Sequence, residues 1–145
     1  MITERKGGFL ISKIHQISGR IFSKKLKQYK IEINPAQGRI LFVLWEKDEI
    51  SIQELAKKTS LGKSTLTSML NRLEKAEYIQ LKRSSEDDRK KIITLTEKDT
   101  KLYDKYKELS KEMNQLFYNG FSNKEIDTFE QCLEKSLKNL TDFYN

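Results

Sequence analysis

The sequence predicts a mainly α-helical chain with one small β-hairpin. Three observations carry this expectation. The 145 residues include one Pro and six Gly, so few positions break a helix or demand a turn. Apolar residues recur three and four apart in most segments, and Asn34, Ser51 and Ser122 are each followed three residues later by Gln or Glu, the pattern of a capping box. One stretch breaks the helical period: Tyr78, Ile79 and Leu81, then a polar segment, then Ile92, Ile93 and Leu95.

The first helix is expected from Leu10 to Tyr29. Leu10, Ile14, Ile17 and Ile21 form one apolar row, and Ile11, Phe22, Leu26 and Tyr29 a second. So broad a stripe suggests burial on two sides. In "NPAQGRILFVLWE", Asn34 is placed as N-cap, Pro35 at the first helical position and Gln37 as the capping-box partner. Phe42 and Trp45 on this second helix are read as core residues that can alternatively line a pocket. In "ISIQELAKKTS", Ser51 and Glu54 form the next capping box, Ile52, Leu55 and Ala56 supply a buried face, and the helix ends near Thr59. After "SLG" a fourth helix runs to about Ala76 with Leu66, Met69, Leu70 and Leu73 on its inner side. Two short helices joined by "TSLG" make a helix-turn-helix candidate.

"GKST", residues 62 to 65, is also the tail of a phosphate-binding loop. That loop needs a Gly five residues before Gly62, where this chain has Lys57, and a preceding strand, where it has a capped helix. Gly62 is therefore read as a permissive residue at a helix start.

The outward face of the fourth helix is chemically distinct. At about 100° per residue, Ser64, Thr67, Ser68, Asn71 and Lys75 lie opposite the Leu/Met side, with Arg72 on the flank. A merely solvated face is usually rich in Glu and Lys. Ser, Thr and Asn are mediocre helix formers whose short hydrogen-bonding side chains suit base edges in a DNA groove.

The hairpin expected after it carries Ser84, Ser85, Glu86, Asp87 and Asp88 at its tip and Arg89, Lys90 and Lys91 on its returning side. Those cations can enter a minor groove or pair with phosphates, and a hairpin directly after a helix-turn-helix is a wing. Between Lys57 and Lys91 there are ten Lys/Arg against five Asp/Glu, whereas from Phe121 to the end three Lys face five acids. The basic excess falls on the expected reading head.

Two more helices follow. Thr96 is read as the N-cap of the first, with Asp99 in its first turn, and Leu102, Tyr106, Leu109, Met113 and Leu116 as its stripe. "SNKE" caps the last, with Ile126, Phe129, Leu133, Leu137 and Leu140 inward. That much apolar surface away from a compact head suits pairing with a second copy. Packing on the chain's own core accounts for part of it.

Composition narrows the function classes. A formal charge of +7 favours a polyanionic partner over an acidic protein. No run reaches the roughly 20 apolar residues of a membrane span, and "MITERKGGFL" has charges where a signal peptide has its apolar core, so a cytoplasmic location without membrane contact is expected. Cys132 is the one cysteine and His15 the one histidine, so neither an intrachain disulfide nor a metal site is expected. No catalytic constellation and no cofactor signature is present, and Cys132, on the flank of the last stripe, is read as a small buried hydrophobe.

"NPAQGRILFVLWE", "ISIQELAKKTSLGKSTLTSMLNRLEKAEYI" and "RSSEDDRKKIITLTEK" resemble, in order and spacing, the MarR family of bacterial winged helix-turn-helix regulators over nearly the whole chain. The most specific element is Asp87, Asp88 and Arg89 with Leu95 and Thr96 beyond; many members carry Gly where this chain has Asp99. The resemblance implies one domain, residues 1–145, with a winged helix-turn-helix head at about 34–96 and a helical dimerisation region at about 8–30 and 97–145. It implies a homodimer on double-stranded DNA, a wing Arg89 held by Asp87 in the minor groove, and release by a small aromatic or anionic effector. His15, Phe42 and Trp45 are the candidate pocket residues; a hydrogen-bonded interface role is the simpler one for His15.

The expectation is a transcriptional regulator, most often a repressor, binding a pseudo-palindromic operator. Two other classes remain: a helical protein-interaction adaptor, which would show no salt-dependent shift of duplex DNA, and a nucleotide-dependent enzyme, which would bind nucleotide in calorimetry.

Overall fold

A computed structural model describes residues 4–86 and 90–145. Its elements in order are α1 (Gly7–Gln28), α2 (Pro35–Glu46), β1 (Ile50–Ser51), α3 (Ile52–Thr59), α4 (Lys63–Lys75), β2 (Ile79–Arg83), β3 (Lys91–Leu95), α5 (Asp99–Phe117) and α6 (Asn123–Tyr144). The chain divides into two compact units, Met1–Leu109 and Ser110–Asn145. None of these helices is long and apolar enough to cross a membrane.

Local chemistry sets most helix starts. Asn34 accepts from the Gln37 backbone N–H at 2.8 Å while the Gln37 side chain accepts from Asn34 N–H at 2.8 Å, a complete capping box on α2. Ser122 and Glu125 do the same for α6. The box on α3 is one-sided: Ser51 Oγ accepts from Glu54 N–H at 3.1 Å, but the Glu54 carboxylate turns to Lys47 Nζ at 3.3 Å. The reason is tertiary. Ser51 belongs to β1, a two-residue strand paired with β3 that is too short to leave any periodic signal in the sequence.

The sheet of the first unit has the order β1-β3-β2, all antiparallel, with Ile50 opposite Ile93 and Ile79 opposite Leu95. Ile50, Ile79 and Ile93 are buried and meet Leu55 of α3, Leu66, Leu70 and Leu73 of α4, Ile40, Leu41 and Leu44 of α2, and Leu102 and Leu109 of α5 in the core. β2 is an edge strand, and Glu74 Oε2 accepts its Leu81 N–H at 2.9 Å. Gly38 on α2 answers to a close approach: a Cβ there would lie 2.7 Å from the Tyr106 hydroxyl oxygen.

Thr96 is not the N-cap of α5. Its hydroxyl donates to the Glu77 carbonyl and its N–H to the Tyr78 carbonyl at 3.0 Å, while Lys98 Nζ donates to the Ala76 carbonyl at 2.8 Å. The carbonyls at the end of α4 lack helical partners and draw these donors across. Asp99 does occupy the first turn of α5, but it is buried and accepts from Trp45 Nε1 at 2.7 Å.

The apolar rows on α1 are not buried in the chain. Leu10, Ile11, Ile14, Ile17 and Ile21 are all exposed, and Leu26 alone on that helix is buried. Along α5, Leu102, Tyr106 and Leu109 are buried whereas Leu116 is exposed. No residue of α6 is buried, so Leu137 and Leu140 are exposed, and Cys132, expected in a core, is exposed too. The second unit is instead held at its turn, where Phe117, Tyr118, Phe121 and Phe129 meet with centroids 4.9 to 6.2 Å apart.

Candidate nucleic-acid interface

The site begins with the turn between α3 and α4. Thr59 is buried, and its Oγ1 donates to the Leu55 carbonyl at 2.8 Å while accepting the Leu61 N–H at 3.3 Å. Ser60 follows in the left-handed region with φ 58°, and Gly62 is the extended N-cap of α4 without a side-chain cap bond. One threonine hydroxyl thus fixes where α4 starts relative to α3. Gly62 follows a helix, as the exclusion of a phosphate-binding loop requires.

Leu66, Leu70 and Leu73 anchor α4 from below. Asn34 at the start of α2 adds a weak contact, its Nδ2 donating to Met69 Sδ at 3.3 Å. With that face pinned, Ser64, Thr67, Ser68, Asn71, Arg72 and Lys75 are all exposed on the other side. A 13-residue helix extends about 20 Å, enough to lie along a major groove.

The hairpin carries the remaining cations. Lys90 and Lys91 are exposed, and the Lys90 carbonyl accepts from Ser84 N–H at 2.8 Å, which closes the hairpin beyond the last strand pair, Arg83 with Lys91. Asp87 and Arg89, the wing pair, lie outside the described residues. Lys82 and Arg83 on β2 are further exposed cations of the hairpin that sequence reasoning missed; their signal was the charged end of the strand.

The three pocket candidates separate. Phe42, expected in the core, is 50% exposed, and His15 is exposed on α1. Trp45 is half-buried against Tyr103 and Tyr106, with centroids at 5.2 and 4.8 Å. Burial pushes the Tyr106 hydroxyl up to about 12, against a smaller downward pull from Arg39, so it stays neutral as a packing group. Two clefts of the first unit hold about 630 and about 180 Å³, and neither is lined by His15, Phe42 or Trp45.

Two helices joined by a tight turn, followed by an antiparallel hairpin, define a winged helix-turn-helix. A family profile described as transcriptional regulator SarA/Rot matches residues 20–106. The HTH-type transcriptional regulator SarZ of Staphylococcus haemolyticus is 30% identical over 83% of this chain and 82% of that protein. The organic hydroperoxide resistance transcriptional regulator of Bacillus subtilis is 37% identical over 55% of this chain, and the match spans 56% of that relative's length. Among solved structures, a cysteine-to-serine variant of MarR from E. coli complexed with operator DNA superposes with a TM-score of 0.79 at 24% identity, over 90% of this chain and 92% of that one. The chain belongs to the SarA/Rot family of transcriptional regulators, a MarR-type winged-helix family, and neither the family nor these relatives are enzymes.

Proposed function

We propose that this chain is a DNA-binding repressor that works as a homodimer on a pseudo-palindromic operator. The observation that carries the reading is the division of α4: three leucines buried on one side and Ser64, Thr67, Ser68, Asn71, Arg72 and Lys75 exposed on the other. In the mechanism, α4 enters the major groove, where Ser64, Thr67, Ser68 and Asn71 meet base edges while Arg72 and Lys75 grip phosphate. Arg89, oriented by Asp87, reaches the adjacent minor groove, and Lys90 and Lys91 pair with the backbone. The operator complex of the E. coli relative supports this use of the fold.

The dimer is drawn from the exposed apolar rows of α1 and α6, which a second copy would cover. Two heads on a two-fold axis then meet half-sites about one helical turn, roughly 34 Å, apart. Release by a small aromatic or anionic molecule completes the cycle, in a cytoplasmic setting. The test is selection of bound fragments from the source genome, then affinity for the selected duplex across a salt series. A repressor of this kind yields an inverted repeat and a steep loss of affinity with salt. Absence of any duplex binding leaves the protein-interaction adaptor in its place.

A further inference from the structure

The smaller cleft of the first unit has a chemistry that DNA reading does not use. Its rim is lysine: Lys30 just after α1, Lys98 just before α5, and Lys101 and Lys105 on α5. Its floor is apolar, made by Ile31 and Leu102, both buried, and by Tyr78, over whose ring Lys98 Nζ sits 4.9 Å from the centroid. At about 180 Å³ it holds the volume of roughly six waters.

Three features disfavour this charge unless something neutralises it. Lys98, Lys101 and Lys105 are spaced three and four apart, so they stand as neighbouring like charges. They cluster at the N-terminal end of α5, where the helix dipole repels cations. Lys30 adopts the left-handed conformation at φ 57°, a place that favours Gly, and this turn aims a fourth cation at the same cleft.

We infer that this cleft is a binding site for a small organic anion, an apolar body of ring size with a phosphate or carboxylate head. The head is held by Lys30, Lys101 and Lys105, and the body lies on Ile31, Leu102 and Tyr78. The site builds on the regulatory reading above by supplying its effector. Lys98 gives the link to α4, because it donates to the Ala76 carbonyl at the C-cap of that helix and an anion in the cleft competes for it.

The test uses the full chain labelled with ¹⁵N and three probes: phenyl phosphate, and its two halves, inorganic phosphate and phenol. Phenyl phosphate is expected to shift the amides of Ile31, Tyr78 and Leu102 saturably, at least about tenfold more tightly than either half. Lys101→Gln with Lys105→Gln, and separately Lys30→Gln, should each weaken it about tenfold, with operator affinity and salt slope unchanged. No saturable shift, equal binding of inorganic phosphate, or indifference to both variants overturns the proposal. So does a loss of operator affinity with a shallower salt slope in the variants, which would make the lysines phosphodiester contacts. If the chain binds no duplex yet still binds phenyl phosphate at these lysines, the cleft stands and the operator reading fails.

Discussion

Trp45 and Asp99, 54 positions apart, are joined by a 2.7 Å hydrogen bond from the indole Nε1 to the carboxylate Oδ2, while the other oxygen, Oδ1, is buried with no partner among the described residues. Burial raises the Asp99 pKa above 3.8, the Trp45 bond pulls it back and the charge of Asp48 pushes it up further. The folded chain therefore holds this proton more tightly than the unfolded chain does. Below 3.8 the group is neutral in both states and has no effect; stability falls as pH rises from there through the raised folded value, and the loss persists above it. Asp99→Asn keeps an acceptor for Trp45 without the charge, so its advantage over the wild type should grow between about pH 4.5 and about pH 7.5 in urea unfolding. Asp99→Leu strands the indole N–H and should cost about 1–3 kcal/mol. An Asn advantage that shrinks with rising pH would contradict the assignment.

Gly38 and Tyr106 make a second long-range pair. Replacing Gly by Ala in a helix interior ordinarily gains about 0.5–1 kcal/mol. Here the new methyl would meet the Tyr106 hydroxyl at 2.7 Å and a ring carbon at 3.1 Å, and overpacking of about 1–3 kcal/mol outweighs the gain. Gly38→Ala should be destabilising by denaturant titration, and less so in a Tyr106→Phe background, which removes the hydroxyl oxygen. Additive costs would show that the two residues do not press on each other.

Leu137 is 61% exposed on a helix with no buried residue. Leu137→Asp should leave the unfolding midpoint of an isolated chain nearly unchanged, since little burial is removed. It should lower the sedimentation mass at micromolar concentration and operator affinity together. A variant that remains dimeric removes α6 from the interface.

On α4, specification and grip should separate. Asn71→Ala is expected to relax base preference at one or two operator positions, at about 1–3 kcal/mol. Arg72→Ala or Lys75→Ala should weaken every sequence alike and reduce the salt slope by about 1 for each phosphate no longer gripped. Binding-site selection with each variant reads both effects; an unchanged preference for Asn71→Ala removes its role.

At the wing, Arg89→Ala should lower affinity most for operators with A·T-rich flanks, because a narrow minor groove concentrates negative potential. Asp87→Ala should also weaken binding, although it removes a negative charge, because the acid orients the arginine. Tighter binding by Asp87→Ala at two salt concentrations would show the acid to be a repulsive bystander.

The parts of this protein legible from sequence are those whose physics is local. Asn34 with Gln37 and Ser122 with Glu125 satisfy backbone donors within one helical turn, so the starts of α2 and α6 needed no tertiary information. The reading face of α4 follows from a rotation of about 100° per residue once its leucines are known. Tertiary structure decided what depends on partners far away in the chain. Thr96 was free to cap α5 by local rules, but the unpaired carbonyls of Ala76 and Glu77 recruit Thr96 and Lys98 instead. Asp99, which a local rule places in a solvated first turn, is buried because Trp45 reaches it. The lysine cleft was half visible, since the spacing of Lys98, Lys101 and Lys105 stands in the sequence, but Lys30 joins them only when the end of α1 folds against the start of α5. Helix periodicity marks α1 and α6 as apolar on one side, and it is silent on what covers them, because the same stripe serves an internal core and a second chain equally well.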